Sequence, residues 1–277
     1  MNILDPQGPI GAAERAILID SVAIMLAIVL PTIVAIFAFA FWFRKSNTKA
    51  NYLPQWAYSG RIELVVWSVP ALTVILLGGV AWIGAHDLDP ARAIAGSQKP
   101  LRIQAVSLDW KWLFLYPEQN VATINTLTVP AGVPLQFELT SASVMNAFFI
   151  PQFGSMIYTM NGMTTRLNLL ADTPGTFGGL STNFSGDGFA GMHFDVNVVP
   201  SEQFSKWVQD ASKADKSLDA QNYQEIAKPT LGNVPAMYRL ADPDLFQSIA
   251  TQKLPPSPGA ASGVKGADLP TGVADAR

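Results

Sequence analysis

SVAIMLAIVLPTIVAIFAFAFWF, residues Ser21–Phe43, runs without a charged side chain. Wound as a helix at about 1.5 Å per residue, it reaches roughly 35 Å, enough to cross a ~30 Å hydrocarbon core. A second run, LVVWSVPALTVILLGGVAWIGA (Leu64–Ala85), repeats the pattern. Arg61 and Glu63 border it on one side, and His86, Asp87 and Asp89 on the other. Pro31 and Pro70 interrupt the two runs. Each would cost about 3 kcal/mol in an exposed soluble helix, but membrane helices can re-satisfy the freed carbonyls. Buried helices of a soluble core are also apolar, yet two uncharged runs of spanning length rarely arise that way. Residues 16–90 therefore read as a transmembrane hairpin with spans at about 21–43 and 64–85.

The joining segment sets the orientation. Residues 44–61 contain Arg44, Lys45, Lys49 and Arg61 and no acid. Short loops rich in Lys and Arg stay in the cytoplasm. The opposite flanks carry Asp5, Glu14, Asp20, Asp87 and Asp89, so both termini are expected outside, which in a bacterium is the periplasm. Trp42, Tyr52, Trp56 and Tyr58 fall where amphipathic rings favour the headgroup level. Residues 1–15 form a polar tail without the basic, apolar and cleavage regions of a signal peptide.

The 277 residues carry a net charge of −3 and no cysteine. Disulfides, thiolate metal sites, iron–sulfur clusters and thiol nucleophiles are thereby excluded. No basic patch of the nucleic-acid type is present.

From Leu101 the hydrophobic period changes to two. Residues 102–107, 113–116, 133–140, 164–170, 177–181 and 193–199 read as strands. Gly, Pro, Asn and Ser punctuate them, which argues for an antiparallel sandwich or barrel over about 99–200. Within it, Asp109-Trp-Lys-Trp-Leu-Phe-Leu-Tyr116 is unusually aromatic. It fits either a strand packing the core or membrane surface, or a docking and electron-relay patch. Helical patterning returns over 201–250. Ser201, Ser217 and Asp242 are candidate caps, with Phe204, Trp207, Tyr223 and Phe246 on apolar faces that have no partner in a closed sandwich. Those faces are expected on the outside of the sandwich or on another subunit. Residues 251–277 are Pro-, Gly- and Ala-rich and read as a disordered tail. Glu63 fits two roles. An acid in the first turn of a helix is favoured by the dipole by ~0.3–1 kcal/mol. An ionisable group at the mouth of a membrane helix is also a place for a proton to enter.

Four segments carry a family resemblance. They are Glu63-Leu-Val-Val-Trp67-Ser-Val-Pro70, Asp109-Trp110-Lys111-Trp112, Ser143-Val-Met-Asn146-Ala-Phe-Phe-Ile-Pro151 and Asn183-Phe184-Ser-Gly186-Asp-Gly188-Phe-Ala-Gly-Met192. With the helical hairpin, the chain resembles subunit II of the haem–copper respiratory oxidases. The resemblance implies a two-helix transmembrane hairpin, an all-β cupredoxin-like sandwich and a short helical C-terminal arm.

In the branch that oxidises cytochrome c, the sandwich holds two coppers through an early His, then Cys-x-x-x-Cys-x-x-x-His-x-x-Met, with a Glu carbonyl between the cysteines. Those positions here are Asn146, Phe184, Gly188, Met192 and Asp195, with Gly186 at the Glu position. None keeps the required residue, and His193 is one residue out of register, which on a strand turns it to the other face. Copper needs soft thiolate and imidazole donors. The Gly-rich loop and the segments Met237-Tyr238 and Asp242-Pro-Asp-Leu-Phe246 instead resemble the quinol oxidase branch, of cytochrome bo type. There the donor is lipid-soluble and needs no electron port on this subunit.

The resemblance implies a proton-pumping ubiquinol oxidase. Subunit I would carry the haems and one copper, with subunits III and IV and membrane lipid as further partners. This chain would hold no metal or cofactor and no catalytic residue, Glu63 would serve proton uptake, and Trp110 would be structural. Two rival readings are a membrane-tethered cupredoxin-like binding or assembly protein and a copper-bearing cytochrome c oxidase subunit.

Overall fold

A computed structural model describes residues 3–51, 53–94, 96, 98–232 and 234–256. Tyr52, and the part of the 251–277 tail beyond residue 256, lie outside them. The chain forms two compact units, one of residues 14–88 and one of the described residues of 1–13 and 89–277.

The first unit is built on α1 (Pro9–Trp42) and α2 (Gly60–Asp87), both long and apolar enough to cross a membrane. The most apolar stretch of each helix is not covered by the chain itself. α1 starts earlier than the sequence pattern suggests, within the stretch read as a polar tail. Pro9 is its first residue, where a missing N–H costs nothing and the fixed φ suits the helix. Hydroxyls inside the helices return to carbonyls one turn back: Thr32 to Ile28 at 2.7 Å, Ser68 to Leu64 at 2.5 Å and Thr73 to Val69 at 2.7 Å. Each polar group is thus satisfied without water, as a hydrocarbon surround requires. The helices come close at Gly84, where a Cβ would lie 2.8 Å from Ile17 Cδ1.

The second unit is a two-layer sandwich. Its strands are β1 (Leu101–Leu108), β2 (Lys111–Tyr116), β3 (Val121–Ile124), β4 (Thr126–Pro130), β5 (Pro134–Ser141), β6 (Asn146–Phe149), β7 (Met156–Thr159), β8 (Thr165–Leu170), β9 (Gly175–Ser181), β10 (His193–Val199), β11 (Ser217–Leu218) and β12 (Ala236–Leu240). One sheet runs β11-β12-β3-β2-β1-β5-β8 and the other β4-β10-β9-β6-β7. β1 pairs parallel to β5, and β4 parallel to β10, in otherwise mostly antiparallel sheets. These parallel pairs mark strands that cross between layers, so the unit is a Greek-key sandwich of the cupredoxin-like kind expected.

Strand parity divides β2 between two cores. Trp112, Phe114 and Tyr116 point between the sheets, while Leu113 and Leu115 point to the outer face of the larger sheet. Neighbouring β1 divides likewise, with Ile103 and Ala105 inside and Val106 and Leu108 outside. Both faces are buried, so β2 shows no polar–apolar alternation.

Of the two places expected for the apolar faces of residues 201–250, the last two helices take the first, the outside of the sandwich. Three helices are present, α3 (Ser201–Ala211), α4 (Ala220–Ile226) and α5 (Leu245–Ala250), but β11 and β12 lie among them. β12 pairs antiparallel with β3 and extends the larger sheet. Tyr223, Leu245, Phe246 and Ile249 pack onto Val106, Leu113 and Leu115. The apolar faces of α4 and α5 therefore find their partner within this chain. α3 closes the sandwich edge, with Trp207 edge-on to Tyr116 at 5.2 Å. The caps differ too. Asp219, and not Ser217, caps α4 by accepting from Asn222 N at 2.8 Å. α5 begins after Asp244, whose N–H donates to Asp242 Oδ1 at 2.9 Å. α3 starts at Ser201 itself, after Pro200.

The described residues before α1, with its first residues as far as Ala13, belong to this unit. Gln7 N donates to Gln152 O at 2.8 Å, Gly11 N to Phe153 O at 3.1 Å, and Asp172 N to Gln7 O at 2.9 Å.

Candidate functional site

The positions aligned with copper ligands gather around one end of the sandwich. Asn146 opens β6, and the Gly-rich loop runs from the end of β9 to the start of β10. Ser181 joins the two: its Oγ shares a 2.8 Å hydrogen bond with Asn146 Oδ1, and its N–H donates to Met192 O at 3.1 Å. Thr182 N donates to Ala147 O at 3.1 Å, and Asn183 Nδ2 to Met145 O at 3.1 Å, which pins the loop base. Gly186 has φ 105°, a left-handed conformation that disfavours any side chain.

The side chains at these positions diverge. Asn146 is buried and engaged with Ser181. Phe184 is 75% exposed, edge-on to Phe189 at 5.7 Å. Met192 turns inward, 1% exposed, into the inter-sheet core. His193 and Asp195 lie on the outward face of β10. No group of three or more His, Cys, Asp or Glu converges among the described residues. This set of side chains does not fit a copper ion, which requires converging soft donors.

Trp110 explains why the loop is built of glycine. It sits in the β1–β2 turn with φ 64°, a costly conformation for a bulky residue. Its indole Nε1 donates to Ser185 O at 3.0 Å. The ring fills the space beside Gly188, so that a Cβ there would overlap its atoms and come 2.7 Å from Leu231 Cδ2. A cysteine at 188 has no room while Trp110 keeps this place. Gly188→Ala should destabilise the protein by about 1–3 kcal/mol through overpacking, read from denaturant midpoints of the purified protein. Unchanged midpoints would show that the indole moves aside freely.

Lys111 is a residue whose importance the sequence pattern does not show. It is buried, and Nζ donates to Lys228 O at 2.8 Å and Thr230 Oγ1 at 2.6 Å, in the segment between α4 and β12. Burial lowers its pKa to about 8, while nearby Asp109 opposes that shift. Asp109 accepts from Ser143 Oγ at 2.6 Å. One buried polar group thus ties the aromatic strand to the C-terminal arm. A lone Lys inside an otherwise apolar strand is its only trace in the sequence.

Glu63 lies in the other unit, in the first turn of α2. Its N–H donates to Ser59 O at 3.0 Å, and Ser59 makes no side-chain capping bond. The carboxylate is exposed on the helix.

The family model described as the COX Aromatic Rich Motif matches residues 213–253, the arm that covers the larger sheet. The cytochrome bo(3) ubiquinol oxidase subunit 2 of Pseudomonas aeruginosa is 46% identical over 252 residues, covering 91% of this chain and 76% of that one. This chain belongs to the ubiquinol oxidase subunit 2 family. Within that family, the ubiquinol oxidase subunit 2 of Acetobacter aceti is 42% identical over 254 residues, covering 91% of this chain and 82% of its own. Among solved structures, the periplasmic domain of subunit II of the Bradyrhizobium japonicum cytochrome oxidase is matched at 25% identity. That match covers 44% of this chain and 98% of that domain, with a TM-score of 0.41.

Proposed function

We propose that this chain is the non-metal-binding second subunit of a proton-pumping ubiquinol oxidase of a bacterial inner membrane. In this reading the complex oxidises ubiquinol and reduces oxygen to water on subunit I, which carries the haems and one copper. Subunits III and IV complete the assembly. The basic loop at 44–61 faces the cytoplasm, and both termini face the periplasm. One observation carries the reading: a chain of this family packs Trp110 against Gly188 in the loop where the copper-bearing branch needs a cysteine. An electron entering from quinol within the membrane has no need of a port there.

The test is oxygen uptake by a complex purified through a tag on this chain in mild detergent. Fast uptake with reduced ubiquinone and none with reduced cytochrome c is expected. A preparation carrying no haem and showing no uptake would overturn the reading in favour of a free-standing membrane-tethered module.

Glu63 is the proton-uptake residue of this reading. Its place at the end of a membrane-capable helix, on the side of the basic loop, supports that role. Glu63→Ala should slow turnover several-fold with haem content unchanged, and Glu63→Asp should restore most of it. If the alanine variant turns over like the parent, Glu63 serves only the helix dipole.

A further inference from the structure

We propose that the segment joining α1 and α2 holds the headgroup of an anionic glycerophospholipid. The inference rests on the membrane reading above. A cavity of about 800 Å³ lies in this segment, lined among others by Phe43, Arg44, Lys45, Asn47, Leu53 and Trp56. Its size is that of a small-molecule site. Its lining has two chemistries. Arg44 and Lys45 supply positive charge, and Phe43, Leu53 and Trp56 supply large, exposed apolar surface.

The site has local structure behind it. Asn47 Nδ2 donates to Trp42 O at 2.6 Å, and Asn47 Oδ1 accepts from Lys49 N at 3.1 Å, which closes the turn directly after α1. Arg44 Nε donates to Ser46 Oγ at 2.9 Å, and its guanidinium carbon lies 4.0 Å over the Phe41 ring. These two contacts hold in place a guanidinium fork whose geometry suits phosphate oxygens.

Charge and position name the occupant. Residues 44–61 hold Arg44, Lys45, Lys49 and Arg61 with no acid, so a net negative headgroup is favoured over a zwitterionic one. The cavity begins at Phe43, one residue beyond the end of α1. It is thus at the level where headgroups meet the acyl region, and Trp56 supplies the interfacial ring favoured there. A free phosphate would use the cations and leave the apolar wall in contact with water. A phospholipid uses both.

The test uses the whole oxidase complex, delipidated in detergent and titrated with phosphatidylglycerol, phosphatidylcholine or inorganic phosphate, with bound lipid counted by native mass spectrometry. Phosphatidylglycerol should bind at least tenfold more tightly than phosphatidylcholine. The double variant R44Q/K45Q should weaken it by roughly thirtyfold, given the usual worth of a basic residue near an anionic surface. R44K/K45R keeps both charges but loses the guanidinium held at Phe41, so it should bind more tightly than R44Q/K45Q and less tightly than the parent. Equal binding of the two lipids, an unaffected neutral variant, or phosphate competing as well as phosphatidylglycerol would each overturn the proposal. Should R44Q/K45Q not accumulate, the comparison of lipids on the unaltered complex decides alone. The haem spectrum of the same sample reports on the oxidase reading separately.

Discussion

Trp112→Ala should cost the protein about 3–5 kcal/mol, while Trp112→Phe should cost much less, about 1–2 kcal/mol. Trp112 is fully buried at the centre of an aromatic cluster between the sheets. Phe148 lies edge-on at 5.2 Å and Phe194 at 5.9 Å, and these two stack on each other at 5.2 Å with their planes 13° apart. Removing the indole leaves a cavity walled by rings that are held by their own contacts, so the site cannot collapse to fill it. The contrast with phenylalanine follows from the polar atom. Trp112 Nε1 has no hydrogen-bond partner among the described residues. Its removal therefore forfeits packing volume but no hydrogen bond, and it relieves the penalty of a dry, unpaired donor. Denaturant unfolding of the two variants, followed by circular dichroism, measures the difference. Equal losses would mean that the indole N–H is satisfied in the native protein and that the polar atom matters as much as the ring.

The same strand shows how far the sequence could be read. The two helices were legible because a long uncharged run needs no partner to be recognised. The longer strands were legible because alternation or turn residues mark them. The strands Val121–Ile124, Thr126–Pro130, Asn146–Phe149 and Met156–Thr159 carry no such mark. Each is four or five residues long, too short to establish a period, and its pairing is set by distant segments. β12 is silent in the sequence for a related reason: Ala236–Leu240 becomes a strand by pairing with β3, more than a hundred residues earlier. That pairing also explains why the sequence leaves two places open for the apolar faces of the arm. A sandwich is normally closed by its own two sheets, so Tyr223 and Phe246 looked unpartnered until the larger sheet proved apolar on its outer face as well. At the candidate site, the positions to inspect came from the family resemblance, and their lack of soft donors from side-chain chemistry. The packing of Trp110 against Gly188 was not legible, because sequence spacing does not bring residue 110 to residue 188. Nor was Lys111 legible as the anchor of the arm, since its acceptors are a backbone carbonyl and a hydroxyl that carry no sequence signal.

Lys111 gives the second large effect, and it appears in the pH dependence of stability. Its pKa in the folded protein is about 8, against an ordinary value of 10.5. Burial is the main cause, with Asp109 pulling the other way. Below pH 8 both the folded and the unfolded chain hold the proton, and the folded state carries the full cost of a buried charge. Between pH 8 and 10.5 the folded state releases the proton while the unfolded chain keeps it, so unfolding takes up a proton and stability rises with pH. Above 10.5 the rise is complete. At ~1.4 kcal/mol per pH unit, the gain attributable to this group is about 3 kcal/mol across that window. The neutral amine still has two N–H groups for Lys228 O and Thr230 Oγ1, so the tether to the arm survives deprotonation. Lys111→Met keeps an unbranched chain of similar volume and removes the titration. At pH 7 the variant should lie within about 1 kcal/mol of the parent, because losing a costly buried charge offsets losing its hydrogen bonds. At pH 10.5 the parent should be the more stable by about 3 kcal/mol. The two proteins differ only at residue 111, so the quantity to follow is the difference between the two denaturation curves as pH increases. A difference that stays constant from pH 7 to 10.5 would show that Lys111 keeps an ordinary pKa and that water reaches it beneath the arm.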